Sequence, residues 1–152
     1  MKRIFLIATI LTSFFLFLTL SSFNSRRADG LVTDILAYTN EFRKSKGKPA
    51  LLLNADLNAI AQTHSANMAS GKTGFGHAGF NEREKLAAKK LSSIHSFAEN
   101  VAYGPSTGRE VVNMWKKSSG HRKNMLGKFK YMGIGTARDR RGVIYYTQVF
   151  AN

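Results

Sequence analysis

The chain ends on two alternating segments, "YMGIGTA" and "GVIYYTQVFA", with "RDRRG" between them. Both are rich in β-branched and aromatic residues at period two, and the joint is a charged, glycine-containing turn, so the pair predicts a β-hairpin. Everything before it reads differently. "LVTDILAYTNEFRKSKG" sets Val32, Ile35, Leu36 and Phe42 near one helical face and stops at Gly47. "GKPALLLN" follows as a loop with a short extended piece. Asn54 is placed to cap a second helix, on which Leu57, Ile60, Ala61, His64 and Met68 share a face and which Gly71 ends.

Beyond the glycine-rich "GKTGFGHAGF", Asn81 and Glu84 have capping-box spacing and open a third helix through Leu86 and Leu91. "SIHSFAENVAYG" reads as a strand or an extended loop. Thr107 and Glu110 form a second capping pair ahead of a helix through Val111, Met114 and Trp115, which reads as stopping at Gly120. Helices first and antiparallel strands last predict an α+β domain with helices packed on a sheet.

The first residues belong to another class. A cationic "MKR" precedes an uncharged run, Ile4 to Leu20, and small residues follow it. This is the pattern of an export signal, with an uncleaved membrane anchor as the alternative. The reading divides the chain into a leader, 1–28, and one domain, 29–152, long enough for its own core. There is no cysteine, so neither a disulfide framework nor a cysteine-linked lipid is available.

Charge narrows the partners. Beyond Lys2 and Arg3 the chain keeps 21 Lys/Arg against 9 Asp/Glu, and nine of the cations fall between Lys116 and Arg141, with Asp139 the one acid there. Such a stretch suits polyanions: acidic lipid, wall polymer, lipopolysaccharide or nucleic acid. Export argues against nucleic acid. A solvated basic face without a partner is the alternative.

Four histidines need weighing. His64 lies on the apolar face of the second helix and reads as buried and structural; His95 has no chemical neighbours in sequence. His77 sits in a glycine-flanked loop, where functional side chains are commonly presented. His121 follows a glycine at the helix end. Glu99 stands among apolar and small residues, so its carboxylate must be paired or face a polar cleft. Two histidines and a glutamate from three segments could bind a divalent ion such as zinc, or form a proton-transfer pair. The chain carries no H-E-x-x-H, C-x-x-C, calcium-loop or G-x-S-x-G motif, and Ser118 or Ser119 beside His121 is too local for a catalytic triad.

"LNAIAQTHSANMAS", "GHAGF", "FAENVAYG", "VVNMWKKSSGHRKNML", "YMGIGTA" and "YYTQVFA" together resemble the CAP superfamily, also called SCP-like, in family order from about Leu31 to Ala151. The block W-x-x-S-x-G-H-R-x-N-x-L, Trp115 to Leu126, is that of the bacterial branch. The resemblance implies a three-layer α-β-α sandwich with a central antiparallel sheet and a polar cleft. His77 matches the first cleft histidine and Glu99 the acid of a G-E-N motif, with Ala98 in place of the glycine. His121 matches the G-H-R histidine. Ser118 stands where the eukaryotic branch has a second acid, and Tyr145 where it has a second histidine. The expected cleft is therefore His77, Glu99 and His121, with Ser118 and Tyr145 as further polar groups, and a weaker hold on metal than a four-residue site. Asn100, Asn124 and Gln148 read as residues that tie loops through their side chains, and Trp115 as core.

The resemblance implies a secreted or envelope-associated, non-catalytic binding module with a His/Glu cleft that could hold a divalent metal, zinc for instance, through His77 and His121. Its basic surface would serve lipids or anionic envelope polymers. The alternative is a metal-assisted hydrolase with Glu99 as base.

Overall fold

The computed structural model describes residues 30–92 and 94–152; the leader lies outside them. In chain order the described elements are α1 (residues 30–44), β1 (Leu52–Leu53), α2 (Ala55–Ala69), α3 (Phe80–Lys90), β2 (Phe97–Tyr103), α4 (Gly108–Lys117), α5 (Ser119–Met125), β3 (Tyr131–Arg138) and β4 (Ile144–Ala151). Among them no helix is long and apolar enough to cross a membrane.

The two alternating segments form the predicted hairpin, with β3 antiparallel to β4 and Gly135 opposite Thr147. β2 adds to the far side of β4, also antiparallel, with Glu99 opposite Val149 and Tyr103 opposite Tyr145. The sheet order is β1-β3-β4-β2. Its three long strands are antiparallel, as expected, and at one edge the two-residue β1 pairs parallel to β3 through Leu52–Tyr131 and Leu53–Met132. β1 ends after two residues because the chain turns into α2 at Ala55. Past that point α2 side chains satisfy the backbone of β3: Ile134 N donates to Asn58 Oδ1, Thr136 N donates to Gln62 Oε1, and Gln62 Nε2 donates to the Thr136 carbonyl. A buried strand edge needs such partners.

Period two sends Met132, Ile134, Ile144, Tyr146 and Phe150 to one side of the sheet, where they pack with Leu31, Ile35 and Phe42 of α1, Val111, Val112 and Trp115 of α4, and Met125 of α5. Val149 and Ala151 face the other side and meet Leu57, Ile60 and Ala61 of α2 and Ala87 of α3. This is the three-layer α-β-α arrangement. The α1 layer is joined to α5 by Arg43, which is buried and donates from Nη1 to the carbonyls of Met125 and Gly127 and from Nε to that of Pro49.

Local signals held where their partners were local. Asn54 caps α2 by accepting from Leu57 N, and the Thr107/Glu110 capping box is formed. Two expectations are corrected. Asn81/Glu84 is not a capping box: the N-cap is Gly79, two residues earlier and in the left-handed conformation, so α3 begins at Phe80, and Leu86 is exposed. Gly120 does not end the fourth helix either. Ser118, at φ −86 and ψ 126, closes α4 and opens α5, so Gly120 and His121 lie inside α5.

Candidate functional site

Glu99 sits on β2, at the edge of the sheet, with its side chain on the α2/α3 side and no exposure. A carboxylate there must be fully compensated, and three N–H groups do so. Arg83, from the second turn of α3, donates from Nε to Oε2 at 2.6 Å and from Nη2 to Oε1 at 2.8 Å, a bidentate fork. His77 Nδ1 lies 2.9 Å from Oε1. Since the carboxylate only accepts, His77 carries its proton on Nδ1, and in the neutral ring Nε2 is left as an acceptor. The ring is half exposed.

The loop that presents His77 is held from below. His64 is 2% exposed on α2 and its Nε2 donates to the carbonyl of Gly76, at 2.8 Å. Gly76 takes φ +138, a conformation that favours glycine. Arg83 completes the clamp by donating from Nη1 to the Ala78 carbonyl. The expected structural histidine is thus structural in a specific way, since it fixes the backbone one residue before His77. The His64–Glu99 separation of 3.9 Å is too long for a hydrogen bond.

His121 approaches from α5, which covers the β2 edge. Asn124 Nδ2 donates to the Glu99 carbonyl and to Asn100 Oδ1; Asn100 Nδ2 donates to the His121 carbonyl and to Gln148 Oε1. These are the loop ties expected of Asn100, Asn124 and Gln148, and they dock α5 onto the strand that carries Glu99. His121 Nδ1 is buried without a hydrogen-bond partner among the described residues. Burial holds the imidazole pKa of His121 below its ordinary value, and the nearby charge of His77 lowers it further.

Burial also lowers the pKa of His64, with Arg83 acting in the same direction and the Gly76 carbonyl opposing it. A histidine with a depressed folded-state pKa adds stability that is present above its unfolded value, near 6.5, and is lost as pH falls through the folded value. The urea midpoint is therefore expected to drop between pH ~7.5 and pH ~5. His64→Gln, whose amide can still donate to Gly76, should flatten that drop. An equal drop in both proteins would remove His64 from the account.

Among the described residues neither Ser118 nor Tyr145 hydrogen-bonds to His77, Glu99 or His121. Ser118 is the joint between α4 and α5. Tyr145 stacks on Tyr103 at 5.6 Å, and Tyr103 meets Phe75 edge-on at 4.8 Å. Arg83 is the residue that sequence reasoning missed. In "FNEREKLAAKK" it resembles one more cation on a solvated helix face, and its partner lies 16 residues away.

The basic stretch is divided in space. Lys128 and Lys130 precede β3 and Arg138 to Arg141 close it, which at ~3.3 Å per residue places the two groups roughly 25 Å apart.

A sequence profile described as CAP, the cysteine-rich secretory protein family, matches residues 36–150. YkwD of Bacillus subtilis (strain 168) is 32% identical over 104 residues, which is 66% of this chain and 40% of that protein. An extracellular SCP-domain protein from Bacillus anthracis superposes with a TM-score of 0.70 at 26% identity, over 82% of this chain and 41% of its own. An outer surface protein from Borrelia burgdorferi gives 0.68 at 18% identity over 77% and 88%, a likeness of fold. The chain thus spans about 40% of the length of the two Bacillus proteins. The profile match and the three-layer fold agree: this cysteine-free chain belongs to the cysteine-rich secretory protein (CAP) family.

Proposed function

We propose that the chain is an exported, non-catalytic binding module that meets anionic envelope components, lipid or polymer, on its basic surface. Its cleft offers two imidazoles, His77 and His121, to a ligand or a divalent ion. Export fits the extracellular description of the Bacillus anthracis relative.

The observation that carries the reading is the state of Glu99. Its carboxylate takes three N–H donors and has no exposed surface. A general base must reach the proton it removes, and this one is closed off by Arg83 and His77. That geometry weighs against the hydrolase alternative. It also bears on how a metal could be held. Glu99 is not available as a ligand, and no group of three or more His, Cys, Asp or Glu is placed for a metal among the described residues. Catalytic zinc takes three protein ligands and structural zinc four. The donor set fits only a weak, solvent-completed pair, in which His77 would use Nε2 and the low pKa of His121 would keep its ring neutral near pH 7.

Calorimetric titration of zinc into the full chain, beside His77→Ala/His121→Ala, tests this. Binding no tighter than micromolar, and lost in the variant, is expected. A tight one-to-one site would overturn the non-catalytic reading, and equal heats in the two proteins would remove the metal from it.

A further inference from the structure

The end of the sheet away from Lys130 carries a second feature. Between the carboxyl end of α2 and the β3–β4 turn lies an open groove of about 710 Å³. Arg138, Arg140, Arg141 and Tyr145 line it on the hairpin side, and Ser70 and Gly71 on the helix side. Asp139 is the one acid of its lining. It accepts from the amides of Arg141 and Val143, both at 2.9 Å, and from the Arg141 guanidinium at 3.2 Å. Burial opposes its ionisation, but these donors prevail and hold its carboxyl below the ordinary range. Arg141 is thereby neutralised. Arg138 spends one N–H on the Gly142 carbonyl, and Arg140 is exposed without an ion pair among the described residues. Two guanidinium groups remain to meet anions.

The aromatic residues adjoin the same groove. Tyr145 lines it and stacks on Tyr103, which meets Phe75; Tyr103 and Phe75 are each 52% exposed. Tyr103 is paired with Tyr145 in the sheet, and Arg138 with Ile144, so rings and cations share one end of the β2–β4–β3 ladder. Exposed aromatic rings beside free guanidinium groups combine two kinds of contact. Guanidinium forks match carboxylate and phosphate, whereas exposed ring faces and edges accept flat, partly apolar surfaces such as those of sugar rings.

We infer that this groove is a subsite for an anionic glycan, a chain of sugar rings bearing carboxylate or phosphate groups. The inference rests on the reading of the chain as a module for anionic envelope components and narrows it to one place. Charge alone would fit any polyanion, and the aromatic residues are what select for rings.

The test measures binding of polygalacturonate to the full chain in neutral detergent at low salt. Neutral dextran, polyphosphate and single-stranded oligodeoxythymidine serve as comparison ligands. Three variants accompany the wild type: Arg138→Gln/Arg140→Gln, which leaves the Arg141–Asp139 pair intact; the charge-matched Lys128→Gln/Lys130→Gln; and Phe75→Ser/Tyr103→Thr, both exposed positions. The arginine variant should lose roughly ten-fold or more in affinity for polygalacturonate, as expected for charge-assisted contacts. The lysine variant should lose much less. The aromatic variant should lose roughly five-fold for polygalacturonate and nothing for polyphosphate. Equal losses in the two charge variants, or a larger one in the lysine variant, would overturn the groove while leaving an anion-binding module. Failure of the wild type to bind any of the polyanions would overturn both. Tighter binding of oligodeoxythymidine than of polygalacturonate would reassign the groove to nucleic acid.

Discussion

Arg83→Leu is expected to destabilise the domain by about 3–5 kcal/mol, the cost of leaving a buried charge without its partner. Glu99 has no exposed side-chain surface and Arg83 is 11% exposed, so solvent cannot replace the lost guanidinium. Glu99→Leu should cost a similar amount, because Arg83 then keeps its charge with only the carbonyls of Ala78 and, at 3.4 Å, His77 to meet it. The double variant should recover much of the loss, since both charges go together. Arg83→Lys should not rescue the pair. A lysine is a point charge and cannot supply both the Nε and the Nη2 bonds that hold the two oxygens. Urea midpoints across this four-member cycle decide the matter. If each single variant costs under ~1 kcal/mol and the costs simply add, the pair behaves as a solvent-screened surface pair and its assigned role fails.

The pair also shows where the sequence was legible. Hairpin, helix faces and the Thr107/Glu110 box can be read because each depends on neighbours within a few residues, through period two, period 3.6 or a capping spacing. β1 could not be delimited, since its length is set by where α2 side chains take over the edge of β3. The Asn81/Glu84 spacing misled for a related reason. The start of α3 is fixed by Gly79 and by the Arg83 clamp on Ala78, a contact that no spacing rule contains.

At the site, His77, Glu99 and His121 stood out because polar groups on a glycine loop, in an apolar strand and at a helix break are locally anomalous. Arg83 has nothing anomalous around it. A cation among charged helix residues acquires its role only when the fold brings β2 beneath it and Glu99 accepts both bonds of its fork. The same separation of sequence from space divides the basic stretch, so that adjacency from Lys116 to Arg141 overstated its continuity.

Gly135→Ala is the other substitution expected to have a large effect, at about 3–5 kcal/mol or an outright failure to accumulate folded protein. A Cβ at Gly135 would lie 2.1 Å from Gln62 N and 2.2 Å from the Ala61 carbonyl carbon, and one at Gly133 2.2 Å from the Leu57 carbonyl carbon. These are backbone atoms of α2 and cannot rotate away. The helix would have to lift from the sheet, straining the bonds from Ser65 Oγ to the Gly135 carbonyl and between Gln62 and Thr136. It would carry His64 with it, and so the support of Gly76 beneath His77. Gly120→Ala is the matched comparison. It lies in α5 with ordinary φ and open space around its Cβ position, so alanine should be neutral or stabilising by up to ~1 kcal/mol. Thermal or urea unfolding of the two variants separates packing from flexibility. If Gly135→Ala costs less than ~1 kcal/mol, α2 is free to shift on β3, and its packing does not fix the His64 bond to the Gly76 carbonyl.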